Sequence, residues 1–290
     1  MKILKHIFFI SLLIVNVFSM SIKANESSLT IHYTYEYQNI EGVNVETYFI
    51  ADYVNGTYEL TENFKDYSID FSNISNQNDW KEIANTLASY IVADNLIADN
   101  MGTTNENGQV TYNQLKPGLY LTLSNDIQKD DKIITFETFL TVLQTESLTV
   151  KPKYTSYTTE NKPLEYKIIK QWKDKNHINE RVNTVDVDIY KDKELYKSVQ
   201  LNTENNWTYQ WNDSNGSKWN IVERNIDGKY DVLIYQDQQV FIITNTYRNP
   251  NEKTPLTGDS SNVTFYIIAM SICGLLMIII ALFLRKKDHD

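Results

Sequence analysis

The chain has 290 residues, a formal net charge of −10 and a single cysteine. The acidic balance argues against nucleic acid as a partner, and one cysteine excludes a disulfide framework. The four histidines are scattered, and neither a metal-ligand cluster nor a Gly-rich phosphate loop is present, so no metal or other cofactor is expected.

Residues 1–24 read as a secretion signal. Lys2 and Lys5 form a basic start, Phe8, Phe9, Ile10, Leu12, Leu13, Ile14 and Val15 a short apolar core, and Ala24 a small residue for cleavage. The roughly 230 residues between this leader and the tail are enough for two domains. The expected fold is mainly β, with two tandem β-sandwich domains, an inserted helix in the first, and a C-terminal transmembrane helix.

In the first domain, 25–153, Leu29, Ile31, Tyr33, Tyr35 and Tyr37 alternate with polar residues, the period of a half-buried strand. Asn55-Gly56 and Asn107-Gly108 are hairpin-type turns, and Lys116-Pro117-Gly118-Leu119 suits a type II turn. Trp80, Ile83, Ala84, Leu87 and Ile91 recur at helical spacing, with Asn76 or Asn78 available as a cap. Strands crossed by one helix give a β-sandwich with an inserted helix.

This domain resembles the N-terminal domain of Gram-positive pilins and pilin-like surface proteins. The resemblance rests on Gly42-Val43, the helical stretch 80–90, and Gly108-Gln109-Val110 leading to Leu115-Lys116-Pro117-Gly118-Leu119-Tyr120-Leu121. Backbone pilins close this region with a lysine that sortase joins to the next subunit. Here Leu148, Val150, Pro152 and Lys153 fit that closing element, while Gln144 stands in place of its Trp and Lys151 in place of its Tyr. The resemblance thus points to Lys153 as a polymerisation lysine; read from the residues alone it is a solvated linker lysine. The tyrosines Tyr33, Tyr35 and Tyr37 leave a binding role open, although alternating aromatics usually serve a core or sheet surface.

Residues 154–163, polar and without apolar periodicity, read as a short extended linker. In the second domain, 164–248, strand alternation puts Tyr166, Ile168, Lys170 and Trp172 on one face, Trp219, Ile221 and Glu223 on another, and Phe241, Ile243, Asn245 and Tyr247 on a third. Each apolar face carries one polar residue. A lone buried charge costs several kcal/mol, so the three either form a mutually satisfied cluster or react. Burial lowers a lysine pKa and raises a glutamate pKa. A neutral amine can then attack the asparagine side chain, with the acid donating to the carbonyl and shuttling protons, and ammonia leaves.

The pieces Ile169-Lys170-Gln171-Trp172-Lys173-Asp174, Val185-Asp186-Val187, Asn206-Trp207-Thr208-Tyr209, Ile221-Val222-Glu223 and Ile243-Thr244-Asn245-Thr246-Tyr247 resemble the collagen-binding-protein B-type (CnaB) domain. That resemblance implies an inverse immunoglobulin-like sandwich with an isopeptide bond between Lys170 and Asn245, assisted by Glu223. The opening strand of the first domain has no lysine, so no such bond is expected there.

The tail 249–264 contains Thr254-Pro255-Leu256-Thr257-Gly258, residues 265–284 carry no charge, and Arg285-Lys286-Lys287 follow in the basic tail 285–290. A helix over that run would span about 30 Å, a bilayer's hydrocarbon thickness, with the basic end cytoplasmic. The order resembles a sortase sorting signal, with Thr254 where the family usually has Leu. It implies cleavage between Thr257 and Gly258 and transfer of Thr257 to an envelope amine, the membrane helix being temporary; an ordinary single-pass anchor is the other reading. The expected partners are sortase, peptidoglycan or another pilin subunit. The whole reads as an exported, wall-anchored pilin-like subunit or adhesin stalk and not as an enzyme, the alternative being a monomeric adhesin whose first domain binds a host or matrix ligand.

Overall fold

The computed structural model describes residues 27–248, apart from 55, 72, 73, 145, 159–162, 215 and 216. The leader, the motif at 254–258, the apolar run at 265–284 and the basic tail lie outside the described residues. No helix among the described residues is long and apolar enough to cross a membrane.

The described chain is mainly β. Its N-terminal module runs β1 (Ser27–His32), β2 (Thr34–Tyr35), β3 (Gln38–Asn39), β4 (Asn44–Val54), β5 (Thr57–Leu60), α1 (Gln77–Ala93), β6 (Asn100–Thr103), β7 (Gln109–Leu115), β8 (Gly118–Ser124), β9 (Ile127–Lys129), β10 (Lys132–Phe136), β11 (Phe139–Leu143), β12 (Leu148–Val150) and β13 (Tyr154–Thr158). The C-terminal module runs β14 (Pro163–Lys173), a short 3₁₀ helix (Lys175–Glu180), β15 (Thr184–Lys191), β16 (Glu194–Asn202), β17 (Thr208–Ser214), β18 (Trp219–Arg224), β19 (Tyr230–Asp237) and β20 (Val240–Tyr247). No ladder among the described residues joins a strand of one module to a strand of the other.

In the N-terminal module a sheet of order β12-β1-β7 faces a sheet of order β11-β8-β4-β5. Leu29 and Ile31 of β1, and Tyr33 just after it, meet Val110 and Tyr112 of β7 and Tyr120 of β8 between them. Leu119, Leu121 and Leu123 point the other way, into a second core with Ile83, Leu87 and Ile91 of α1. Strand β8 is therefore covered on both faces, which is why it reads as a near-continuous apolar run. It starts at Gly118, where φ is +152° and an added Cβ would lie 2.5 Å from the Ala51 carbonyl oxygen and the Phe49 ring. That φ departs from the roughly +80° of the type II turn expected there, because β8 enters pressed against β4.

Helix α1 is capped by Asn76, whose side chain accepts from the backbone N–H groups of Asn78 and Asp79, while Asp79 bonds back to the Asn76 N–H. This reciprocal box satisfies donors that would otherwise be orphaned. Beyond its apolar stripe the helix also buries Thr86, Ser89 and Tyr90, and its core continues into Tyr190 and Val222 of the C-terminal module. It is thus a layer between the modules, with both sides covered.

Residues 154–158, the first part of the stretch read as a short extended linker, form β13, antiparallel to β10, with the Tyr154 ring 5.2 Å from that of Tyr35. Such a strand is held by backbone pairing and lacks an apolar period to betray it. Of the three tyrosines considered for ligand binding, Tyr33 and Tyr35 are core residues, and only Tyr37 is exposed.

The C-terminal module is a two-layer sandwich of sheets β17-β14-β20-β19 and β16-β15-β18. Its first and last strands, β14 and β20, are parallel neighbours, with Lys170 opposite Ile243 and Trp172 opposite Asn245. Tyr166, Ile168, Val187, Ile221, Val232, Phe241 and Ile243 fill the space between the layers.

Candidate cross-link site

The period of two that puts apolar side chains inward on β14, β18 and β20 carries three polar ones in with them. Lys170, Glu223 and Asn245 are 5 %, 3 % and 2 % exposed. Lys170 and Asn245 come from adjacent strands of one sheet, two register positions apart. Glu223 comes from the opposite sheet and reaches both. Its Oε1 accepts from Asn245 Nδ2 at 2.7 Å, and its Oε2 lies 3.5 Å from Lys170 Nζ. Lys170 Nζ also donates to the Gln171 carbonyl at 3.2 Å and sits 4.2 Å from the centre of the Trp172 ring.

Burial governs the charges. It lowers the Lys170 ammonium to about 8, against the opposing pull of Glu223, and it raises the Glu223 carboxyl, against Lys170 and Asn245. Both shifts favour the uncharged pair of amine and carboxylic acid over an ion pair. The groups are also under-satisfied. Glu223 Oε2 and Asn245 Oδ1 have no hydrogen-bond partner among the described residues.

An uncharged amine, a protonated acid and a primary amide in contact can exchange one bond for another. In such an exchange Lys170 Nζ would attack the side-chain carbonyl carbon of Asn245, a C–N bond would form, the bond to Nδ2 would break, and ammonia would leave. Glu223 would accept the proton shed by the amine and deliver it to Nδ2. Glu223 Oε1 faces the amide nitrogen of Asn245, 2.7 Å away, and not its carbonyl oxygen, the atom to which the acid is expected from the sequence to donate. A cavity of about 30 Å³, lined by Trp172, Thr184, Glu223, Arg224, Tyr230 and Asn245 among others, adjoins the acid and the amide. It has room for at least one water-sized molecule.

Sequence reasoning missed the supports around this centre. Asp174, only 4 % exposed, binds Arg181 through Nη2 at 2.6 Å and through Nε, and Arg181 lies 5.5 Å from the Trp172 ring. Trp172 is thereby flanked by Lys170 and Arg181. Arg224, next to Glu223, gave no periodic signal, since its partners lie far away in sequence.

The other predicted residues are apart from this centre. Lys153 is an exposed side chain between β12 and β13, and its backbone carbonyl accepts from the Glu137 N–H at 2.9 Å. The buried polar side chains of the N-terminal module, among the described residues, are the hydroxyls of Ser27, Thr47, Thr86, Ser89, Thr104, Thr122 and Thr141. No group of three or more His, Cys, Asp or Glu residues able to hold a metal ion occurs among the described residues.

Residues 166–246 match the family model of the Cna protein B-type domain. Among solved structures, the chain is similar to a single B repeat unit of the collagen-binding surface protein of Staphylococcus aureus, at 17 % identity over 77 % of this chain and 98 % of that one, with a TM-score of 0.28. It is similar to GBS52, the minor pilin of Streptococcus agalactiae, at 15 % identity over 79 % and 99 %, with a TM-score of 0.27. It is also similar to the shaft pilin SpaA of Lactobacillus rhamnosus GG, at 14 % identity over 78 % and 99 %, with a TM-score of 0.25. No curated protein matches the chain.

Proposed function

We propose that this chain is a cell-wall-anchored surface structural protein of a Gram-positive bacterium, a pilin-like subunit or adhesin stalk. It is exported, stiffened by an isopeptide bond between Lys170 and Asn245 with Glu223 as the assisting acid, and attached by sortase at Thr257. The observation that carries the reading is the burial of Lys170, Glu223 and Asn245 in mutual contact inside one apolar core. The match of residues 166–246 to the B-type domain supports it. So does the order of motif, apolar run and basic cluster at the C-terminus.

A buried ion pair alone would be a poor way to stabilise a domain, because desolvation consumes most of the attraction. A covalent tie has no such cost. Lys170 and Asn245 are about 75 residues apart in sequence, and closing a loop of that size stabilises by roughly 4–5 kcal/mol by analogy with a disulfide. The chemistry is a single turnover needing no cofactor, since fixed geometry supplies the effective concentration.

The intact mass of the mature fragment 25–253 tests this directly. A deficit of one ammonia, abolished by Lys170→Ala, is the expected result; a full-length mass would overturn the bond. The anchoring part is tested in cells. Gly258→Ala is expected to leave the protein in the membrane fraction, and unchanged release with the peptidoglycan would overturn attachment at Thr257.

A further inference from the structure

Strands β18 and β19 carry the C-terminal module's contact with α1 and the loop before it. Two polar anchors hold that contact, and both lie beside the cross-link site. On β19, Val232 donates its backbone N–H to the Ser68 carbonyl at 3.0 Å, and Val232 is the residue opposite Asn245 in the β19–β20 ladder. Two residues on, the Ile234 N–H donates to the buried Thr86 hydroxyl at 2.7 Å. β19 is the edge of its sheet, so these bonds satisfy N–H groups an edge strand would otherwise present unpaired.

On β18, Arg224 directly follows Glu223, and the two side chains point to opposite faces. The acid turns inward to Lys170 and Asn245. The guanidinium donates to Asp94 Oδ1 at 2.9 Å, Asp188 Oδ2 at 3.0 Å and the Tyr190 hydroxyl at 2.9 Å. Asp94 caps the C-terminus of α1 and also accepts from the Tyr67 hydroxyl at 2.7 Å. Between the anchors, Tyr190 and Val222 share a buried cluster with Leu87 and Ile91.

We infer that the N-terminal module positions the cross-linking reaction. Through the Ser68 carbonyl, Thr86 and Asp94 it fixes the strand that carries the acid and the strand paired with the one that carries the amide. None of these groups touches the reacting atoms; they are positioning residues. The inference rests on the Lys170–Asn245 bond proposed above. Its physical basis is that attack requires near-contact geometry, and a shift of about 1 Å can cost on the order of a hundredfold in rate. Another inter-module contact, the ion pair of Lys193 with Glu46 at 3.2 Å, is made by a lysine outside β18 and β19 and supplies an internal control.

The test follows ammonia loss by intact mass over time after cell-free synthesis of the mature chain. Asp94→Ala and Thr86→Val are expected to slow the loss about tenfold or more, Asp94→Glu to restore part of the rate, and Lys193→Ala to leave it unchanged. Tryptophan fluorescence at the same time points separates slow chemistry from slow folding, and the milder Thr86→Val covers the case in which Asp94→Ala does not fold. Wild-type rates in folded Asp94→Ala and Thr86→Val would overturn the positioning role and leave the bond standing. Equal slowing in Lys193→Ala would reduce the effect to docking in general and also overturn it. No ammonia loss in the wild type would overturn the bond itself.

Discussion

Asn245 Nδ2 donates to Glu223 Oε1 at 2.7 Å across the interior of the C-terminal sandwich, so the group that must leave in a cross-linking reaction already faces the group able to protonate it. Glu223→Gln keeps the shape of the side chain and removes the proton. It is expected to retain the full mass with both Lys170 and Asn245 present. Mass spectrometry of purified Glu223→Gln showing a deficit of one ammonia would remove Glu223 from the reaction.

Loss of the proposed tie has an expected thermal consequence. Lys170→Ala and Asn245→Ala each lose a loop constraint of roughly 4–5 kcal/mol, and Lys170→Ala adds a small void. For about 210 described residues the expected drop in Tm is on the order of 10 °C. Calorimetry of both variants against the wild type measures it, and coincident melting curves would contradict the tie.

The pH dependence of uncoupled variants reports on the lysine. In Asn245→Ala the amine stays free, with an ordinary value of 10.5 unfolded and about 8 in the fold. Between these values the unfolded chain holds the extra proton, so stability rises as pH increases from about 8 to 10.5, by about 3 kcal/mol in all. Chemical denaturation of Asn245→Ala and of Lys170→Met/Asn245→Ala isolates this term, because the other titrating groups are common to both. Parallel pH profiles would show that Lys170 is not held uncharged.

Gly118 sets the entry of the central strand of the N-terminal module. With φ at +152° and a new Cβ 2.5 Å from the Ala51 carbonyl oxygen, Gly118→Ala must move β8 away from β4. The expected cost is roughly 2–4 kcal/mol, at the high end of single-residue effects, read as a shift in the denaturation midpoint. A change below about 0.5 kcal/mol, the level of an ordinary surface substitution, would mean the strand entry is free to adjust.

The burial of Lys170, Glu223 and Asn245 in one apolar core was legible because strand geometry is local. Once Ile168, Ile221 and Ile243 are read as inward, Lys170, Glu223 and Asn245 follow two residues along. The apolar stripe and cap of α1 were legible for the same reason. The joint between modules was not. Thr86 and Ser89 are polar residues outside the apolar stripe of α1, yet they are buried; Thr86 meets a partner 148 residues later and Asp94 one 130 residues later. No periodicity encodes such pairs. Strand β13 escaped because its residues alternate between two polar faces, and the direction of the Glu223 hydrogen bond escaped because residue type alone does not orient an amide.

The parallel pairing of β14 with β20 has a consequence for extensibility. The chain enters the module at one end of this strand pair and leaves at the other. With Lys170 joined to Asn245, a pull on the two ends travels through β14 from Pro163 to Lys170, one amide and the last few residues of β20. The intervening stretch of about 75 residues, on the order of 250 Å of contour length when drawn out, is excluded from the path. Single-molecule stretching would see a module that does not lengthen, whatever becomes of its hydrogen bonds.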